Sequence, residues 1–561
     1  MPKSNDKPSK VETIKEESRH LRGPVDEELT NDEPKFSKAS YEILKFHGTY
    51  QQDDRDLRKG RDKHWMFMIR GRMPGGRLTA DQYLAIDTIV DTFGDGSIRA
   101  TTRQAFQMYG VVKDQLKPTI KAINDSLVTT LGACGDVVRN VMAIPSPDID
   151  GRQAKVQHVA DLLSDDLLPA TNAYHELWLD GEKVYSGKEE TENEPLYKDH
   201  YLPRKFKIAL TVPGDNSVDL YTQDIGLVAL FDNEGEIRGF NVIVGGGLGM
   251  NHQKEDTYPR LGDHLGYVAH DEVVDLVKGI IAVQRDLGNR SNRKQARMKY
   301  LIDKIGLDEF RKELAARTDA TVHPFEELPP FEPGLYLGWN RQSDGNWFLG
   351  VSIENGRIRD REEIRIKTGL RTVIETVRPG VRFTPNQNLL LTDIREEDRE
   401  TVDRLLSEHG IAPEQDLSPL LKYSMACPAL PTCGLAITES ERIFPSFIRN
   451  LEDVLDELGV PDEALSIRMT GCPNGCARPY VAEIGLVGRS LEKYSFFLGG
   501  DPAGTRLATL YKDLVPYDEL IPEIRKLLVH WKENRNENEA FGDYYARIGI
   551  DHAAEALAHA S

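Results

Sequence analysis

The segments SMACPALPTCGLA (424–436) and MTGCPNGCARP (469–479) hold four of the chain's five cysteines: Cys427, Cys433, Cys472 and Cys476. The spacing is C-x5-C and C-x3-C, with 38 residues between the pairs. Four thiolates brought together can hold a four-iron, four-sulfur cluster, because soft sulfur ligands suit iron. Pro428, Pro431, Pro473 and the neighbouring glycines mark turns, and turns let backbone amides point at sulfur. A structural zinc site is the alternative, although zinc usually takes C-x2-C knuckles on both sides. A disulfide scaffold would use more cysteines in a shorter, secreted chain.

Outward from the cysteines, hydrophobic periodicity alternates between strand and helix. HWMFMIRGRMP (64–74) predicts a strand, DQYLAIDTIVDTFG (81–94) an amphipathic helix, and SIRATTRQAFQMYGV (97–111) a second strand. The order returns in NWFLGVSIENGRI (346–358), EEIRIKTGLRTVIETV (362–377) and GVRFTPNQNLLLTDI (380–394). Gly76 and Gly356 end the opening strands, and Arg99 and Arg382 open the closing ones. This is read as an internal duplication of one α/β unit. A longer α/β segment follows each copy.

The expected fold is therefore α/β (α+β) with a pseudo-twofold, duplicated architecture and a cofactor between the halves. The expected units are a polar arm at 1–40, a first repeat at 41–145 and a larger α/β unit at 146–335. A second repeat at 336–409 and a cysteine-bearing α/β unit at 410–561 complete the chain. The arm is charged and weakly periodic, so it is expected to be a docking segment without its own core.

Charge and hydropathy narrow the function. The 71 Lys and Arg face 91 Asp and Glu, a net charge of −20, which argues against nucleic acid or anionic lipid as partners. No stretch approaches the roughly 20 unbroken apolar residues of a membrane span. The first residues, MPKSNDKPSKVETIKEES, have no apolar core, so a cytoplasmic protein is expected. Against that acidic background, clusters of Arg and Lys stand out. Strand periodicity puts Lys205 and Lys207 of RKFKIALTV on one face, aligns Arg70 with Arg72, and aligns Arg99 with Thr101 and Arg103. NVIVGGGLGM (241–250) is not a G-x-G-x-x-G fingerprint, and no flavin domain is evident. Electrons for any redox chemistry must come from a separate protein.

The two cysteine motifs, with the repeat, RKFK, repeat order before them, resemble the sirohaem-containing nitrite and sulfite reductase family from about residue 40 onward. The resemblance implies ferredoxin-like repeats, one sirohaem, and one 4Fe–4S cluster on Cys427, Cys433, Cys472 and Cys476, with Cys476 bridging to the haem iron. CPALPTC and CPNGC look like the sulfite branch, whose activity is assimilatory reduction of sulfite to sulfide for sulfate assimilation and cysteine biosynthesis. Reduction of nitrite to ammonia is the alternative within the family. A non-catalytic four-cysteine zinc module is the alternative outside it.

By the same resemblance Arg70, Arg139, Lys205 and Lys207 match substrate-binding positions, Arg99 and Arg103 match positions that grip the macrocycle, and Asn474 lies between the last two cysteines. Arg holds oxyanions in planar pairs, whereas Lys offers a compact charge and a proton. Gln387 and Asn388 are further inward-facing candidates. The implied electron donor is an NADPH-dependent flavoprotein subunit or ferredoxin. TLGACGD (130–136) and CARPY (476–480) look more like the ferredoxin-linked members. Cys134 is expected to be a buried inert thiol, with a thioether to Tyr50 as the sharper alternative.

Overall fold

The computed structural model describes residues 7–171, 176–179, 182–186 and 194–559. Four five-stranded sheets make up two similar halves. In the first repeat, strands Thr49–Lys59, Asp62–Arg70, Phe106–Val111 and Ile98–Ala100 lie side by side. In the second, Gly338–Arg341, Trp347–Val351, Leu389–Ile394 and Gly380–Phe383 repeat that order.

Each repeat completes the other's sheet. The short strand Arg357–Ile358 pairs antiparallel with Ile98–Ala100 of the first repeat. Arg77–Leu78 pairs in the same way with Gly380–Phe383 of the second. Gly76 and Gly356 sit in the turns before these exchanged strands, at φ +76° and +72°. A Cβ on Gly76 would run into the Phe383 carbonyl, and one on Gly356 into the Ala100 carbonyl. Both positions need glycine for the left-handed backbone and for the close crossing.

The larger units match as well. Met142–Ala143, Ile208–Thr211 and Ile225–Phe231 run parallel, then Ile237–Val244 and Asp263–Ala269 continue antiparallel. Met425–Ala426, Ile467–Thr470, Ile484–Ser490, Lys493–Leu498 and Thr509–Pro516 follow the same pattern. The duplication thus embraces both kinds of unit. One apolar core joins the two repeats and the first large unit, while residues 420–553 enclose a second core.

Three sequence expectations need correction. SIRATTRQAFQMYGV is two strands, not one: the chain turns at 101–105, where Gln104 has φ +48° and Thr101 Oγ1 accepts from the amides of Arg103 and Ala105, both at 3.3 Å. GVRFTPNQNLLLTDI turns in the same way between Phe383 and Leu389. The third concerns Arg72, which does not share a face with Arg70. Its buried guanidinium donates to Ser164 and to the carbonyls of Gly132 and Val138, because the strand ends at Arg70 and the chain veers away.

The N-terminal arm packs onto the first half. Helices Lys10–Glu16, Val25–Leu29 and Lys38–Leu44 form there, and Leu21, Val25 and Phe36 enter the large core.

Candidate functional site

The four cysteines and the basic residues meet in one cavity of about 570 Å³ between the halves, within the usual range for a ligand pocket. The strand Met425–Ala426 leads into Cys427, and Ile467–Thr470 leads into Cys472. Parallel pairing of these neighbours brings the two cysteine loops together. Cys427 and Cys472 are buried, Cys433 is half-buried and Cys476 is exposed toward the cavity. Gly471 N–H donates to the Cys427 sulfur at 3.3 Å, and the Asn474 amide to the Cys472 sulfur at 3.4 Å.

Burial and then the neighbouring cysteines push the Cys427 thiol well up. The same causes push Cys472 up to about 12. A bound iron cluster supplies the positive charge that releases these protons. Among the described residues, no three His, Cys, Asp or Glu side chains gather closely enough for a single metal ion.

The rest of the cavity is strongly cationic. Eleven Arg and Lys line it against two carboxylates, Glu42 and Asp136, in a chain of net charge −20. Arg70, Arg139, Lys205, Lys207, Arg103 and Asn474 all border it. The Arg70 guanidinium approaches the Cys134 sulfur at 3.1 Å and lies 6.0 Å from the Tyr50 ring centre. With its amide oxygen turned inward, Gln107 accepts from Arg70 Nε at 3.0 Å. Arg139 donates to the Gly135 carbonyl at 3.3 Å.

Lys205 and Lys207 flank Phe206, which bridges in parallel to Val138. The alternation read from sequence therefore holds, although the strand proper starts at Ile208. Burial, then Arg139, lowers the Lys205 pKa well below the usual lysine value. Burial, then Arg297, does the same at Lys207. Arg103 donates to Gln223 at 2.9 Å and to the Ile208 carbonyl at 2.9 Å, and burial followed by Arg139 lowers it to about 9. Its Nε, and that of Arg297, are buried with no partner. Such orphaned donors fit an anionic ligand with several carboxylates.

Arg99 also lines the cavity. Its guanidinium pairs with Glu441 and donates to the Ala426 carbonyl at 3.0 Å, so it braces the cysteine loop as well. Gln387 borders the cavity and also donates to Ala426. Asn388 instead caps backbone, accepting from Ile353 N–H at 3.0 Å. Cys134 is fully buried, and Tyr50 lies near it.

Sequence reasoning missed Arg204, Arg293, Arg297 and Arg478 on the cavity wall. The basic run in NRSNRKQARMKY (289–300) was the signal for Arg293 and Arg297.

The comparisons agree with this geometry. The model of the nitrite and sulphite reductase 4Fe-4S domain matches residues 158–321 and 422–560. That of the nitrite/sulfite reductase ferredoxin-like half domain matches 58–126 and 340–409. A ferredoxin sulfite reductase of Synechococcus elongatus is 46% identical over 97% of this chain and 90% of its own. The hemoprotein beta-component of an NADPH sulfite reductase from Staphylococcus haemolyticus is 44% identical over 96% and 95%. The fold resembles the Mycobacterium tuberculosis NirA protein, with TM-score 0.76 and 23% identity over 97% of this chain and 98% of that one. With duplicated half domains, a four-cysteine wall and near full-length relatives, the chain belongs to the nitrite and sulfite reductase family.

Proposed function

We propose that this protein is an assimilatory sulfite reductase, reducing sulfite to sulfide with six electrons for cysteine biosynthesis. The observation that carries the reading is one cavity with four cysteines on one wall and eleven cationic side chains around it. The relatives named as sulfite reductases, of both ferredoxin and NADPH types, support sulfite over nitrite.

The cofactors are one sirohaem and one 4Fe–4S cluster, which when bound would relay the electrons. Cys427, Cys433, Cys472 and Cys476 would hold the cluster. Arg103 and Arg297, with their orphaned Nε groups, would pair with macrocycle carboxylates.

Arg70 and Arg139 hold the oxygens of sulfite and stabilise charge as the S–O bonds weaken. Lys205 and Lys207 deliver protons from Nζ, so that each departing oxygen leaves as water. Their lowered pKa values make them ready proton donors once an anion has drawn the proton on. Electrons arrive from a separate protein, ferredoxin or an NADPH-dependent flavoprotein. Among the described residues no helix is long and apolar enough to cross a membrane.

The test is a visible spectrum of purified protein with iron, zinc and acid-labile sulfide assays, followed by turnover on sulfite and nitrite with each donor. A sirohaem spectrum, about five irons and four sulfides per chain, and preference for sulfite are expected. Colourless zinc protein overturns the redox reading, and preference for nitrite overturns the choice of substrate.

A further inference from the structure

The N-terminal helix Lys10–Glu16 inserts a charged side chain into the protein interior. Lys15 is fully buried, an expensive position for an ammonium unless several partners compensate it. Its Nζ donates to the Leu202 carbonyl at 2.7 Å and pairs with Glu12 at 2.7 Å and Asp136 at 3.7 Å.

Asp136 and Leu202 belong to the two segments that carry the proposed chemistry. Asp136 lies between Cys134 and Arg139, and Leu202 shortly precedes Lys205. The two segments are laced by backbone bonds: Leu202 N–H to the Asp136 carbonyl at 2.9 Å, Phe206 N–H to Val137 at 3.1 Å, and Arg139 N–H to Phe206 at 2.9 Å. Lys15 closes the end of that lacing farthest from the strand.

Its neighbours extend the brace. Arg293, itself on the cavity wall, donates to both Asp136 oxygens at 2.6 and 3.0 Å. Glu12 pairs with Arg290, which donates to the Tyr201 carbonyl at 2.7 Å. One turn of helix therefore grips residues 200–202 from two directions.

We infer that Lys15 is a positioning residue, registering the Arg139 segment against the Lys205–Lys207 segment so that oxyanion holder and proton donors face one point. This rests on the roles proposed above for Arg139 and Lys205. The arm then acts inside its own chain, on the active cavity. Lys15 touches no substrate, and its effect passes through Asp136 and Leu202.

The experiment compares holoenzyme variants Lys15→Met and Val11→Ala by hydrogen exchange and by kinetics with a small-molecule reductant, which bypasses protein docking. Val11 is a buried apolar residue on the same helix, so its truncation loosens packing without touching the ion cluster. For Lys15→Met, faster amide exchange at Leu202, Arg139 and Phe206, the three donors of the lacing, and a rise of about tenfold in the KM for sulfite are expected at unchanged haem and iron content. Val11→Ala should lower the melting temperature with neither effect. Equal changes in both variants, or none in Lys15→Met, overturn the inference. Should Lys15→Met not fold, Lys15→Gln, which keeps a donor for Leu202, is read by the same criteria. A parent enzyme inactive on sulfite, with the exchange difference intact, would sink the function and leave the positioning role standing.

Discussion

Arg99 and Arg357 stand opposite each other in the register of two antiparallel strands from different repeats, and both guanidinium groups close on the Glu441 carboxylate. Glu441 N–H in turn donates to the Cys427 carbonyl at 3.1 Å. Arg357 adds Ser97 at 3.0 Å and lies 4.9 Å from the Tyr109 ring. Two chain segments remote in sequence are thus tied to the first cysteine loop by one buried carboxylate.

Glu441→Gln should therefore be costly. Removing the charge leaves two buried arginines short of their partner, at about 3–5 kcal/mol. Burial opposes ionisation of Glu441, but Arg99 and then Arg357 win and hold it at about 2, against 4.5 when unfolded. The carboxylate's contribution is present above pH 4.5 and is lost as pH falls toward 2. Urea unfolding across that range should show a steep loss in the parent and a flatter one in the variant. Parallel curves would disprove the assignment.

Cys472→Ser should abolish cluster assembly. Iron is expected to fall from about five per chain to about one or fewer, with acid-labile sulfide lost. Full iron and sulfide in the purified variant would remove Cys472 from the ligand set.

Lys205→Met keeps the length of the side chain and deletes its proton. Turnover should fall about a hundredfold, a far larger factor than the rise in the KM for sulfite. Equal losses in kcat and affinity would mean that Lys205 binds and does not protonate.

Anion binding should take up protons. Burial and then Arg139 lower Lys205, and burial and then Arg297 lower Lys207. An incoming oxyanion offsets that repulsion and raises both values, so affinity weakens as pH rises past the lowered lysine values. Calorimetry of sulfite binding in buffers of different ionisation enthalpy reads the proton count directly. A count of zero is the outcome that contradicts this coupling.

Much of the molecule was legible along the chain. The cysteine pairs are local motifs whose residue type names their ligand chemistry. The helices Ala80–Phe93 and Ile366–Val377 follow from apolar periodicity, and Lys205 and Lys207 face one way because Phe206 must be buried. The turns within 97–111 and 380–394 were not legible, since threonine and glutamine hydrogen bonds close them without glycine at the corner. Arg99 and Arg103 look alike in sequence and both line the cavity, but only the arrival of Glu441 from a remote loop gives Arg99 a carboxylate partner.

By itself the sequence determined the duplication, the four-cysteine wall and the excess of positive charge near RKFK, because period, residue type and spacing are local properties. Tertiary structure alone decided the exchange of Arg77–Leu78 and Arg357–Ile358 between sheets, since two-residue strands are too short to carry a period. It also decided that Arg293 and Arg297 join the cavity while Arg72 leaves it, and that the polar arm buries Lys15 beneath Asp136. Charges find partners by distance in space, and chain order does not encode that distance.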